Sequence, residues 1–330
     1  MPTHLVFRVR LVAALWLLAL PAQAQTSQAG SPQVFPQRSI QIIVPFAPGA
    51  SADAIARTIA TELSPRLGVP VVVENKAGAG GTLGLIALTK AAADGHTLSI
   101  GAPGAMTIMP HFPGGVGFDP MQDVAPVAKL VDVPVVIAAN TRIGPKSIAD
   151  LIERAKATPA GLSYGSTGTR SSQHLAVEMI AQTARVKLVH VPYRGSAPAV
   201  TDAIGGQIPF VSVDLTSAAP LIADGQLTAL AITSPKRVSI APQIPTLVEQ
   251  GIDFSSSPWL GLFAAAATPP SILQTLSGHV REILSKPEVQ RQLRTLSLEP
   301  AYTDDSAFKA HLTAEFAQWK RVVQLIGDVN

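Results

Sequence analysis

"IIVPFAPGASADAIAR", residues 42–57, runs from an apolar stretch through a Pro/Gly turn into the start of a helical pattern. Its first part, extended back to "SIQIIV", reads as a short buried strand that Pro45, Pro48 and Gly49 then punctuate. Beyond the turn, Ile55, Ile59 and Leu63 recur every four residues with Ala56, Ala60 and Leu67 beside them, which predicts a helix with one apolar stripe lying on a sheet. A strand that turns straight into a helix leaves several backbone N–H groups without intrahelical partners, all aimed at one spot, and the helix dipole makes that spot attractive to an anion. Gly49 allows close backbone approach, and Ser51 adds a hydroxyl donor. Asp53 lies in the same first turn and competes for those N–H groups. It either compensates the dipole or accepts a hydrogen bond from a ligand amine or hydroxyl.

Any α/β protein carries such turns, and most hold nothing. A second one changes the reading. "YGSTGTRSSQHLAVEMI", residues 164–180, repeats the arrangement: a strand, a loop with Ser166, Thr167, Gly168, Thr169 and Ser171, then a helix opening near Ser171 or Ser172. Two such turns facing each other across a cleft would hold one small acid between lobes. Arg170 and Arg194 are nearby cations, able to fork to a carboxylate or to stay in solvent. Tyr193 offers an apolar wall with a hydroxyl or simply packs in the core, and Gly195 with Ser196 opens one more helix. His174 sits just inside the second helix, where a lone histidine is more often packed or capping than catalytic.

Between these turns the chain alternates. "VPVVVE" predicts a strand, "NKAGAGG" a loop, "TLGLIALTKAA" a helix and "HTLSIG" a strand, the order of an α/β domain with parallel strands. A second series begins near residue 124 with "VAPVAKLV" and "VPVVIAAN" as strands, followed by a helix whose start carries Ser147 and Asp150 at capping-box spacing. "VKLVHV", "IPFVSV", "LTALAIT" and "WLGLFAAAA" supply further strands, and long helical patterns close the chain. "GAGGTLG" departs from the dinucleotide fingerprint because Leu83 stands where the third glycine belongs, so Gly80 and its neighbours read as a close-packed loop at the rim of the cleft.

The first 24 residues read as an export leader: Arg8 and Arg10 precede "LVAALWLLAL", and Ala22 and Ala24 stand at cleavage positions, predicting cleavage after Ala24. That apolar run is too short to span a bilayer, which needs about twenty residues. Without the leader, 23 Lys and Arg face 22 acids, and no basic stripe interleaved with aromatics remains, which argues against nucleic acid as a partner. The chain of 330 residues has no cysteine, so its fold rests on apolar cores. No H-E-x-x-H, G-x-S-x-G or spaced histidine set implies a metal, a cofactor or a nucleophile.

The ordered set "IIVPFAPGASADAIAR", "VVVENKAGAGGTLG", "ADGHTL", "YGSTGTRSSQHLAVE", "VHVPYRGSAPAVTDAIGGQI", "AITSPKRVSIAPQIPTLVEQG" and "WLGLFAAAATPP" resembles the periplasmic substrate-binding proteins of tripartite tricarboxylate transporters, the Bug family. The resemblance implies a two-lobed, type II-like periplasmic binding fold, each lobe a mainly parallel sheet flanked by helices. Residues 25–123 and about 228–330 would form one lobe, with C-terminal helices partly bridging, and residues 124–227 the other. It implies a monomeric, non-enzymatic protein that grips a small carboxylate: a di- or tricarboxylate, an acidic amino acid or an aromatic acid. The ligand set carried over is Phe46, Pro48, Gly49, Ala50, Ser51 and Asp53 from the first turn, and Ser166, Thr167, Gly168, Thr169, Ser171, Ser172 and His174 from the second. Tyr193, Arg194 and Asp214 join them near the cleft. Partners would be membrane transporter subunits or a sensor kinase; an enzyme acting on a small acid, with His174 or Asp53 as base, is the alternative of another class. Two positions depart from the family pattern: Ala50 replaces a second glycine, which requires a negative φ there, and His96 replaces a commoner tyrosine.

Overall fold

A computed structural model describes residues 35–49 and 51–327; the expected leader with its cleavage point, and Ala50, lie outside the described residues. The chain opens with β1 (Ile40–Val44), α1 (Ser51–Leu67), β2 (Val71–Asn75), α2 (Thr82–Thr89) and β3 (Thr97–Gly101). A π-helical turn (Gly104–Ile108) and a 3-10 turn (Met109–His111) lead to β4 (Val124–Asp132). Next come β5 (Val135–Asn140), α3 (Ile148–Ala157), β6 (Leu162–Ser166), α4 (Ser172–Ala184), β7 (Leu188–Pro192), α5 (Ser196–Ile204), β8 (Phe210–Asp214), α6 (Leu215–Ala223) and β9 (Leu227–Ile232). The chain then returns through β10 (Trp259–Ala265), α7 (Pro270–Ser285), α8 (Pro287–Thr295), β11 (Glu299–Thr303) and α9 (Asp305–Ile326).

Two sheets result, a six-stranded one in the order β11-β4-β10-β3-β1-β2 and a five-stranded one in the order β7-β6-β8-β5-β9. Both are mixed. Helical crossovers make β2-β1-β3 and β7-β6-β8 parallel, whereas β4, β10 and β11 pair antiparallel, as do β5, β8 and β9. Both sheets belong to one compact unit. Val124–Asp132, expected to open the second series, is instead a strand of the first sheet, paired with β10 and β11. Its apolar run suits either sheet, and only its late-arriving partners decide. The crossing therefore lies at Val133–Pro134, and β9 stays with the second sheet, so the return begins after Ile232.

The two passes between sheets are tied together: Val133 N donates to Pro258 O at 2.7 Å, Thr233 N to Val135 O at 3.0 Å and Ser256 N to Thr233 O at 2.8 Å. On the first sheet, Ile55, Ile59 and Leu63 of α1 are fully buried against Ile40, Ile42 and Val44. Two segments serve both halves. Phe308 and Leu312 of α9 pack with Trp259 and Phe263 of the first sheet, while Trp319, Val322 and Val323 join the core of the second. Likewise Ala105 and Met106 lie in the first cluster, and Ile108 and Phe112 in the second. No helix among the described residues is long and apolar enough to cross a membrane.

Glu315 of α9 fixes these segments to each other. Its buried carboxylate accepts from Thr107 Oγ1 and from Trp259 Nε1, each at 2.9 Å. Burial raises its pKa, and those hydrogen bonds oppose the rise. Replacing Glu315 by Ala leaves the buried Trp259 N–H unpaired, while Thr107 Oγ1 keeps Pro103 O at 3.2 Å as an acceptor, and should cost about 1–3 kcal/mol. Glu315→Gln keeps an acceptor and should recover most of that loss; urea denaturation followed by tryptophan fluorescence measures both, and equal losses would disprove the role of the acceptor.

Candidate functional site

The first turn is stapled by Asp53. This residue is 4% exposed, and its carboxylate accepts from Gly49 N at 3.0 Å, from Arg57 Nε at 2.9 Å and from Asn75 Nδ2 at 3.0 Å. Asn75 also donates to Phe46 O at 3.2 Å, so the end of β2 is tied to the turn after β1. Burial alone would raise the Asp53 carboxyl, but the bonds from Arg57, the Gly49 amide and Asn75, with the Arg57 charge, bring it down to about 2. The Gly49 amide, expected to face a ligand, therefore faces Asp53. What position 49 needs from glycine is its φ of +82°, since a β-carbon there would meet nothing within 4 Å. Pro48 and Gly49 are exposed, and Phe46 and Ser51 are half-buried.

The rim loop packs directly behind this turn. Gly78, Ala79, Gly80 and Gly81 all have positive φ, which accounts for the run of small residues. A β-carbon at Gly81 would lie 3.2 Å from Phe46 Cζ, and one at Gly80 would lie 3.1 Å from Met109 Sδ.

The second turn follows β6 and leads into α4. Ser171 is the N-cap, its hydroxyl accepting from His174 N at 3.1 Å and donating to Gly168 O at 2.8 Å. Ser166 is fully buried beneath the loop, where its hydroxyl takes the Gly168 amide at 3.2 Å and meets His190 Nε2 at 2.6 Å. Thr169 is exposed; Thr167 and Gly168 are half-buried. The amides of Ser172 and Gln173 open α4 and have no intrahelical acceptor. Arg170 adopts φ +62°, donates its amide to His174 Nδ1 at 2.9 Å, and holds its guanidinium 4.6 Å above the Phe112 ring.

One segment links the two regions: Met109 lies beside Gly80 of the rim loop that packs on Phe46 of the first turn, and Phe112, bonded to Met109 O through its amide at 3.1 Å, lies under Arg170 of the second.

His174 is 1% exposed and stacked on His190 with ring centroids 3.7 Å apart. Burial, then the neighbouring His174, lower the His190 pKa to about 4. Burial would raise Glu178, but the nearby His174 imidazole and the Tyr164 hydroxyl, which donates to it at 2.6 Å, hold it below the usual carboxylate range. Tyr193 is half-buried and spends its hydroxyl on Asp202 Oδ2 at 2.7 Å; burial and that bond push it up to about 12. Arg194 is exposed. Asp214 ends β8, where burial raises its pKa against the bonds from Gln173 Nε2, at 2.6 Å, and Ser196. Its own amide meets Ser196 Oγ at 3.2 Å, so the first turns of α4, α5 and α6 converge on it.

Sequence reasoning missed Arg57, Asn75, Gln173 and His190. Arg57 carried a visible signal, four residues after Asp53 on one helix face. The others did not, because Asn75, Gln173 and His190 acquire their partners only through sheet register and helix placement.

The profile of the tripartite tricarboxylate transporter family receptor matches residues 55–328. Protein BugT of Bordetella pertussis is 34% identical over 324 residues, covering 96% of this chain and 98% of its own. Among solved structures, Rpa4515 of R. palustris with adipate is 31% identical with a TM-score of 0.82, covering 89% of this chain and 98% of its own. MatC (Rpa3494) from Rhodopseudomonas palustris with bound malate is 29% identical with a TM-score of 0.78, covering 88% and 100%.

Because the Asp53 pKa is lowered on folding, its contribution is complete above the unfolded value near 3.8 and is lost as pH falls toward about 2. That contribution is about 2 kcal/mol. Asp53→Asn should therefore be less stable than the parent at pH 6, with the gap narrowing between about pH 4 and pH 2; a gap independent of pH in acid denaturation would disprove the assignment.

Proposed function

The chain belongs to the tripartite tricarboxylate transporter receptor family, and from that premise we propose that it captures a small carboxylate between its two sheets and delivers it to a tripartite tricarboxylate type transporter. The observation that carries the proposal is the pair of strand-to-helix turns, one from each sheet, joined to the segment from Met109 to Phe112, the first through its rim loop and the second through Arg170. In this reading the carboxylate meets the opening amides of α1 and α4, with hydroxyls of Ser51, Thr167 and Thr169 beside them. Phe46, Pro48 and Gly80 wall one side, and Tyr193 and Arg194 the other. The Gln173–Asp214 pair reads a hydroxyl or ammonium on the ligand body, since a carboxylate there disfavours a second anion.

A dicarboxylate has the strongest support, because the similar structures hold adipate and malate. Binding is favoured over turnover by the state of both candidate bases. His174 is buried with Nδ1 on a backbone amide, and Asp53 already accepts from three donors, so neither is free to take a proton from a bound acid. A periplasmic location follows from the same family reading together with the leader pattern of residues 1–24.

A thermal-shift screen with malate, adipate, citrate, glutamate and benzoate tests the proposal. An acid at a hundred times its dissociation constant adds about 2.7 kcal/mol of stability, and it should be recovered unchanged. Ser172→Pro removes one opening amide at a position where a helix tolerates proline, and Ser171 already has the φ of −74° and ψ of 158° that a residue before proline requires. That variant should fold and lose most of the acid-induced shift. No shift with any of the five acids, conversion of the acid, or an undiminished shift in the variant would overturn the reading.

A further inference from the structure

Three polar side chains under the second turn play no part in the ligand contacts proposed above: the buried His174 and Tyr164 and the half-buried Glu178. They form a line. Tyr164 donates its hydroxyl to Glu178 Oε1 at 2.6 Å, Glu178 Oε1 stands 3.6 Å from His174 Nε2, and His174 Nδ1 accepts the Arg170 amide at 2.9 Å. An imidazole nitrogen that accepts from an N–H carries a lone pair, so the ring proton sits on Nε2 and points at the carboxylate. On its face the ring is stacked on His190 at 11° between planes, and His190 in turn holds Ser166.

Position 174 is the third residue of α4, where a capping box places Glu or Gln to reach back to an orphan amide. Here the reciprocal pair is Ser171 Oγ with the His174 amide and His174 Nδ1 with the Arg170 amide. The amide held is that of a non-glycine residue at φ +62°, a conformation that persists only where its surroundings hold it.

We propose that His174 is the positioning residue of the second anion-binding turn: its Nδ1, kept as an acceptor by Glu178 on the opposite nitrogen, locks Arg170 in the left-handed conformation and so aims residues 167–173 at the ligand. The proposal rests on the reading of that turn as half of the carboxylate site. His174 touches no ligand in this arrangement; it acts through the loop. Glu178 and Tyr164 set its tautomer, and His190 sets the plane of its ring.

Two variants separate the acceptor from the ring. His174→Phe keeps a ring on His190 but has no acceptor, whereas His174→Asn loses the ring and places an amide oxygen near the site of Nδ1. In ligand-free protein, amide hydrogen exchange over residues 167–173 should rise about tenfold in His174→Phe and stay close to the parent in His174→Asn. Stabilisation by malate or adipate should fail in the first and survive in the second. If the ring alone matters, the order reverses, and equal exchange in both variants likewise overturns the proposal. Long-range proton–nitrogen correlation on the unmodified protein provides an arm that needs no variant: a bare Nδ1 with the ring proton on Nε2 is expected for His174, and a proton on Nδ1 overturns the proposal. Exchange and tautomer are read without ligand, so a parent protein that ignores all five acids sinks the carboxylate reading while leaving these two measurements to judge the histidine.

Discussion

A backbone N–H that opens a helix must find an acceptor, and both strand-to-helix turns of this protein are built around that requirement. Each turn meets part of it internally. Asp53 takes the Gly49 amide on one side, and Ser166, Ser171 and His174 take the amides of Gly168, His174 and Arg170 on the other. The internal bonds hold the loops in shape, and the amides left over at the start of α4 are then presented by a rigid frame rather than by a loose one. Preorganisation of this kind lowers the ordering cost that a small ligand would otherwise meet on binding.

Much of this frame could be read from the residues. The four-residue spacing of Ile55, Ile59 and Leu63 places α1 correctly, and Ser147 caps α3 through the Asp150 amide as its spacing suggests. The strand-turn-helix units at residues 42–57 and 164–180 are both present. Pairing was not legible. "VAPVAKLV" is a strand in either sheet, and its place in the first is settled by β10 and β11, which lie far along the chain. The mixed character of both sheets has the same origin, since strand direction depends on how the chain crosses between them and leaves no local signature.

The strand-turn-helix frame of the candidate site was legible, and the partners of its polar side chains were not. Residue types that can donate to an anion stand where the turns need them, yet several spend their polar atoms inward: Ser166 on His190, Tyr193 on Asp202, Asp53 on three donors. Spacing along the chain cannot show which way a hydroxyl turns once a strand register has brought a histidine alongside it, as β6 and β7 do for Tyr164 and His190. Arg170 illustrates the point in reverse: a loop arginine with every reason to face solvent lies instead on Phe112.

The strand order of the six-stranded sheet also bears on how the molecule comes into being. β3 and β4 are neighbours of β10, not of each other, so each waits for a strand encoded in the last quarter of the chain before its free edge is covered. α9, which completes both cores, comes later still. A growing polypeptide of this design cannot finish either half while its end is still being made, and it exposes unpaired, apolar strand edges throughout synthesis. Until its end is made, such a chain depends on whatever shields those edges from its neighbours.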